Sequence, residues 1–189
     1  MKTIAFLITP LLMASTLNGP AIIYKTDQAK STLSIEGTST LHDWEMTVEG
    51  FNGTIDVEVA SNDIEIKSLK LNVPVKNLKS GKSPMDANAY KALKADAHKN
   101  INFNLLRVKS VTPSTLGYLD VLAEGNLTIA GVTKTLTIPI KAYTKEGGIT
   151  LKGETSFNMS QFDVEPPTFM FGSVTTGDKV TIKFNINYN

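Results

Sequence analysis

The residues best equipped for chemistry are few. The 189-residue chain has two histidines, His42 and His98, and no cysteine. His42 precedes Asp43, the order of a general base and an orienting acid. Adjacent residues on a strand face opposite ways, so the pair cooperates only if the segment is a loop. No G-x-S-x-G nucleophile turn accompanies it. Two histidines far apart in sequence, without paired spacing, make a poor metal site. No catalytic residue, metal ligand or cofactor is therefore assigned. An enzyme using His42 stays as an alternative, beside a loop histidine satisfied by backbone.

The second constellation is apolar. Trp44, Met46, Phe103, Phe157, Met159, Phe162, Phe169, Met170 and Phe171 are large, and the methionines are flexible. Such side chains suit an adaptable wall around an apolar ligand. The competing reading is a packed core, the commoner fate of any one of them. Phe169-Met170-Phe171 follows Pro166-Pro167 and cannot all face one side of a strand. These three are expected in a loop at a mouth, where one meets ligand or membrane.

The elements that must position these residues are mostly strands. In Gly125–Ala142, Leu127 and Ile129 alternate with polar residues before a short turn, and Leu136, Ile138 and Ile140 do so after it. This period of two marks a hairpin with one apolar face. Gly131 supplies the turn, and Pro139 implies an edge or a bulge. The spacing of Trp44, Met46 and Val48 continues the pattern, as does that of Val180, Ile182, Phe184, Ile186 and Tyr188. Ile64 and Ile66 share one parity and Leu69, Leu71 and Val73 the other, so a bulge is expected near Lys67-Ser68.

One helix interrupts the strands. Ser83-Pro84-Met85-Asp86 reads as its start, with Ser83 as N-cap, and Met85, Ala89, Ala92 and Leu93 share a face. It is expected to end near Ala97. Many alternating strands with one helix predict an all-β antiparallel barrel or sandwich. The net charge of +1 lends no support to a nucleic-acid partner. Residues 1–21 read as a signal peptide: a basic start, about ten mostly apolar residues and a small-residue site at Gly19-Pro20-Ala21. One domain is expected over 22–189.

Several segments, in this order, resemble the YceI-like family of polyisoprenoid-binding proteins. They are Leu41-His42-Asp43-Trp44, the helix before Ile101-Asn102-Phe103, Gly125-x-Leu127-Thr128-x-x-Gly131-Val132-Thr133-Lys134, and Gly177-Asp178-Lys179-Val180. The resemblance spans essentially the whole chain after the signal. One departure is His98-Lys99-Asn100, where similar sequences often carry a proline. The resemblance implies an extended eight-stranded antiparallel lipocalin-like β-barrel with one helical segment. It also implies a periplasmic or secreted, non-catalytic protein whose lumen holds a long isoprenoid lipid or quinone. Transient membrane contact fits that role. The oligomeric state is left open, a homodimer included. The alternative without ligand is an extracytoplasmic structural or stress-response module with a filled barrel.

Burial of apolar chain is worth about 0.8 kcal/mol per methylene relative to water. For such a lipid the relevant reference is the bilayer, which is as apolar as a lumen. Exchange between the two is nearly balanced, which suits a carrier or a store.

Overall fold

A computed structural model of the chain describes residues 21–60, 63–145, 147–169 and 172–189. Residues 1–20 of the signal peptide expected over 1–21, and the site residues Met170 and Phe171, lie outside the described residues. Among the described residues there are twelve strands and one α-helix. The strands are β1 (Ala21–Lys25), β2 (Thr32–Ser39), β3 (Trp44–Val48), β4 (Asn52–Ala60), β5 (Asp63–Pro74), β6 (Leu78–Lys79) and β7 (Asn100–Pro113), then β8 (Leu119–Ile129), β9 (Val132–Lys145), β10 (Gly148–Asn158), β11 (Thr168–Phe169) and β12 (Val174–Tyr188). Helix α1 covers Ser83–Ala92.

Every pairing is antiparallel, in the order β1-β4-β5-β7-β8-β9-β10-β12-β2-β3-β6. The curled sheet returns on itself. Lys25 and Asn189 exchange backbone hydrogen bonds of 3.0 Å, and Thr26 bridges Tyr188. The strand count differs from the expected eight for a simple reason. β1 with β2, and β3 with β4, are each one chain segment broken by three residues or a few more. β6 and β11 are only two residues long, so the circuit consists of eight chain segments.

The two breaks are stitched together. Gly50 adopts φ 152°, and the Gln28 amide donates to the Phe51 carbonyl at 2.7 Å. Asn77 donates to the Gly50 carbonyl at 2.9 Å.

Local patterning sets most of the rest. The register between β4 and β5 shifts so that Asp56 faces Ser68 while Val57 faces Ile66, leaving Lys67 as the extra residue. That bulge keeps Ile66 and Leu69 on one face. Ile129 and Val132 pair across a two-residue turn in which Ala130 (φ 48°) and Gly131 (φ 85°) are both left-handed. This is the twist that joins antiparallel strands tightly. The β9–β10 ladder ends at Ile140, so Pro139 sits where no donor is needed toward β10.

The helix begins one residue earlier than its sequence suggests. Ser83 is already helical, and Lys82 is the N-cap, its carbonyl accepting from Met85 and Asp86 backbone N–H groups at 2.9 and 3.1 Å. No side chain caps it; Asp86 in its first turn instead accepts from the hydroxyl and backbone N–H of Ser80 in the preceding loop. The α-helical hydrogen bonding ends at Ala92 rather than Ala97. Turns follow, with Lys94 left-handed at φ 52°.

Candidate functional site: an apolar cavity at one end of the sheet

An apolar cavity of about 300 Å³ lies between α1 and the curled sheet. Its walls come from several elements. Ile35 stands on β2, Trp44 and Met46 on β3, Phe157 on β10, and Val180 and Ile182 on β12. Helix α1 and its following turn contribute Met85, Ala89, Ala92 and Leu93, the face expected from their spacing. None of the helix's own residues is fully buried, because that face looks onto open space rather than a packed core.

The helix is held by polar tethers. The Tyr90 hydroxyl lies 2.9 Å from the Lys76 carbonyl and 2.8 Å from that of Leu78, and it accepts from the Lys79 ammonium at 2.9 Å. That contact keeps the Lys79 pKa above its ordinary value. At the other end, the Ser80 hydroxyl lowers the Asp86 carboxyl pKa.

The opposite wall is built by a 3-10 turn, Met159–Phe162. Asn158 and Gln161 cap it reciprocally, and the Ser160 backbone N–H donates to the Asp178 carboxylate at 2.9 Å. Asp178 sits where the β12 register against β2 shifts, between Thr176 and Val180. Phe162 is fully buried and meets Phe157 edge to face at 5.0 Å. Met159 is half-buried and lines the cavity, as does Phe169 of β11.

Of the nine residues expected at a ligand, six line this cavity: Trp44, Met46, Phe157, Met159, Phe162 and Phe169. Phe103 does not. It packs with the core on the sheet's inner side, one inward position below Ile101, which does line the cavity. The same step recurs around the sheet. Ile35, Met46, Ile129 and Ile182 line the space, whereas Leu33, Val48, Leu127 and Phe184, the next inward residues on their strands, do not. Below that level the core is filled, with Ile55, Leu151 and Tyr188 among its most buried side chains. The alternatives of a hollow and a filled barrel thus each describe one end of the molecule.

The rim carries the few polar groups. Among the described residues, Ser39, His42, Lys82 and Thr176 are the only lining residues with polar side chains apart from Trp44. His42 is exposed on the loop between β2 and β3, and its Nδ1 donates to the Asp43 backbone carbonyl at 2.7 Å. The Ser39 hydroxyl shapes this loop, accepting from the Leu41 and His42 backbone N–H groups and donating to the His42 carbonyl. The imidazole is therefore oriented by backbone rather than by the Asp43 carboxylate. Among the described residues no group of three acidic, histidine or cysteine side chains is gathered to hold a metal.

The wall residues Ile35, Ile182, Val164 and the helix face were not singled out as site residues from sequence. Strand parity for Ile182 and helical spacing for the α1 face pointed inward, but not to an open space before them; Val164 follows the 3-10 turn outside any strand or helix and carried no such signal.

A curled antiparallel sheet with an apolar cavity under one helix defines a lipocalin-like class of β-barrel fold. A family model described as the YceI-like domain matches residues 24–188, and the chain belongs to that family. Its fold is similar to that of Burkholderia cenocepacia BcnA, at 20% identity and a TM-score of 0.66, covering 86% of this chain and 98% of that one. A polyisoprenoid binding domain from Saccharophagus degradans matches at 11% identity and a TM-score of 0.65, over 88% and 97% of the two chains. The Campylobacter jejuni YCEI protein matches at 15% identity and a TM-score of 0.56, over 98% and 91%. At these identities the likeness is one of fold. A search of curated proteins finds no match.

Proposed function

We propose that the protein binds the apolar chain of an isoprenoid-type lipid or quinone in this cavity, non-covalently and without catalysis, to carry or store it. The observation that carries this reading is the cavity itself, walled by aliphatic, methionine and aromatic side chains with polar groups only at its rim. Apolar walls with a few polar groups at one end suit an amphiphile whose tail is buried. The polyisoprenoid binding domain of S. degradans shares the fold, which supports the ligand class. Export to the periplasm or the medium belongs to the same proposal and rests on the sequence of residues 1–21.

Mass spectrometry of an organic extract tests it, on protein purified from its native compartment. Recovery of a stoichiometric isoprenoid lipid is the expected result. A protein that is folded, carries no apolar molecule and takes none up from vesicles would overturn the reading. Intact mass of the exported protein tests the leader, which is expected to be missing.

A further inference from the structure

We infer that Phe103 and Phe184 form a floor that limits how much apolar chain this cavity accepts, making them specificity-determining residues for the ligand proposed above. The inference rests on that binding reading and adds a length to it. The two rings occupy equivalent situations. Phe103 lies over Gly125 of β8, where a Cβ would overlap its ring and the Asn104 carbonyl. Phe184 lies over Gly153 of β10, where a Cβ would overlap its ring and the Pro139 carbonyl. Each glycine thus leaves a gap on the inner face, and each aromatic ring fills it from a neighbouring strand. Both rings stand one inward position below a cavity-lining residue, Ile101 and Ile182 respectively.

The volume above this floor sets the length. That space is about 300 Å³. A longer chain keeps its remainder at the rim, where Leu41, His42 and Lys82 are exposed. The glycine partners hold the floor in place: neither ring can be matched by simply enlarging the residue beneath it.

The test is a binding series with saturated primary alcohols of six to sixteen carbons, read by Trp44 emission. For wild-type protein, affinity should rise about four-fold per added methylene and then level off once the chain reaches the floor, within the series. Phe184→Ala and Phe103→Ala should each move that break to chains longer by about three to five carbons, because truncation leaves a space that relaxes only in part. Phe184→Leu and Phe103→Leu serve where the alanine variants unfold, and should move it less. Ala92→Leu, which adds three carbons to the opposite wall, should shorten it. Affinity that climbs without a break to sixteen carbons overturns the floor, as do folded floor variants that keep the wild-type break. Absence of binding at every length overturns the binding reading itself.

Discussion

Trp44 joins three roles in one side chain. Its indole N–H donates to the Thr38 carbonyl at 2.9 Å, its ring covers Gly37 on β2, and its remaining face looks into the cavity. A Cβ at residue 37 would overlap the ring, so Gly37→Ala must displace the indole. Overpacking of this kind costs about 1–3 kcal/mol. The expected result is a lower thermal midpoint together with shifted tryptophan emission, since the chain has one tryptophan. Unchanged emission would mean that the ring does not rest there. Phe162 and Met159 offer a second contrast. Phe162 is fully buried against Phe157, and Phe162→Ala should cost about 3–5 kcal/mol in denaturant unfolding. Met159 already faces open space, so Met159→Ala should cost clearly less while weakening retention of an apolar chain.

At the scale of elements, α1 stands out as the wall with the fewest packing partners. Its inner face meets the cavity, and its anchors are the Tyr90 hydroxyl and the Asp86 carboxylate. The Ser80 hydroxyl holds the Asp86 pKa below its usual 3.8 in the folded protein, with burial opposing it. A depressed folded pKa stabilises the fold above the unfolded value, and that contribution disappears as pH falls through the folded value. The wild type should therefore lose thermal stability on acidification below about pH 4 more steeply than Asp86→Asn. Melting curves between pH 5 and 2 check this, and parallel curves would place the helix anchor elsewhere. Tyr90→Phe should loosen the other end, leaving two carbonyls without this donor. The expected readout is faster amide exchange in α1 than in the surrounding strands.

For the whole molecule, the division into a filled end and an open end governs how ligand and stability are linked. The filled end holds Ile55, Leu151 and Tyr188, and its strands are closed by the backbone bonds between Lys25 and Asn189. The open end surrounds the apolar cavity. A ligand that binds the folded form alone raises stability by about 2.7 kcal/mol at a hundred-fold excess over Kd. Thermal midpoints measured across a concentration series of decanol should rise accordingly. Hydrogen exchange should show the added protection concentrated in α1, β3 and the Met159–Phe162 turn rather than spread over the filled end.

Much of this architecture follows from the sequence alone because its signals are local. Alternation placed the inner face of β3, β8 and β12, two opposed parities required the extra residue at Lys67, and spacing at Met85, Ala89, Ala92 and Leu93 oriented α1. Six of the nine apolar site candidates surround one space, although Met159 and Phe162 stand on a 3-10 turn and Phe169 on a two-residue strand, where alternation does not reach. What parity cannot convey is depth. Trp44 and Phe103 carry identical inward-facing signals, yet one lines the cavity and the other closes it. Each ring rests on a glycine of a neighbouring strand, Gly37 under Trp44 and Gly125 under Phe103, and the registers of β2 with β3 and of β7 with β8 set the level at which each ring stands. The start of α1 was also decided in three dimensions, where Asp86 bonds the Ser80 loop and Ser83 lies inside the helix. Side-chain character and period determined which residues turn inward; only the packing of distant strands decided where the inside is empty.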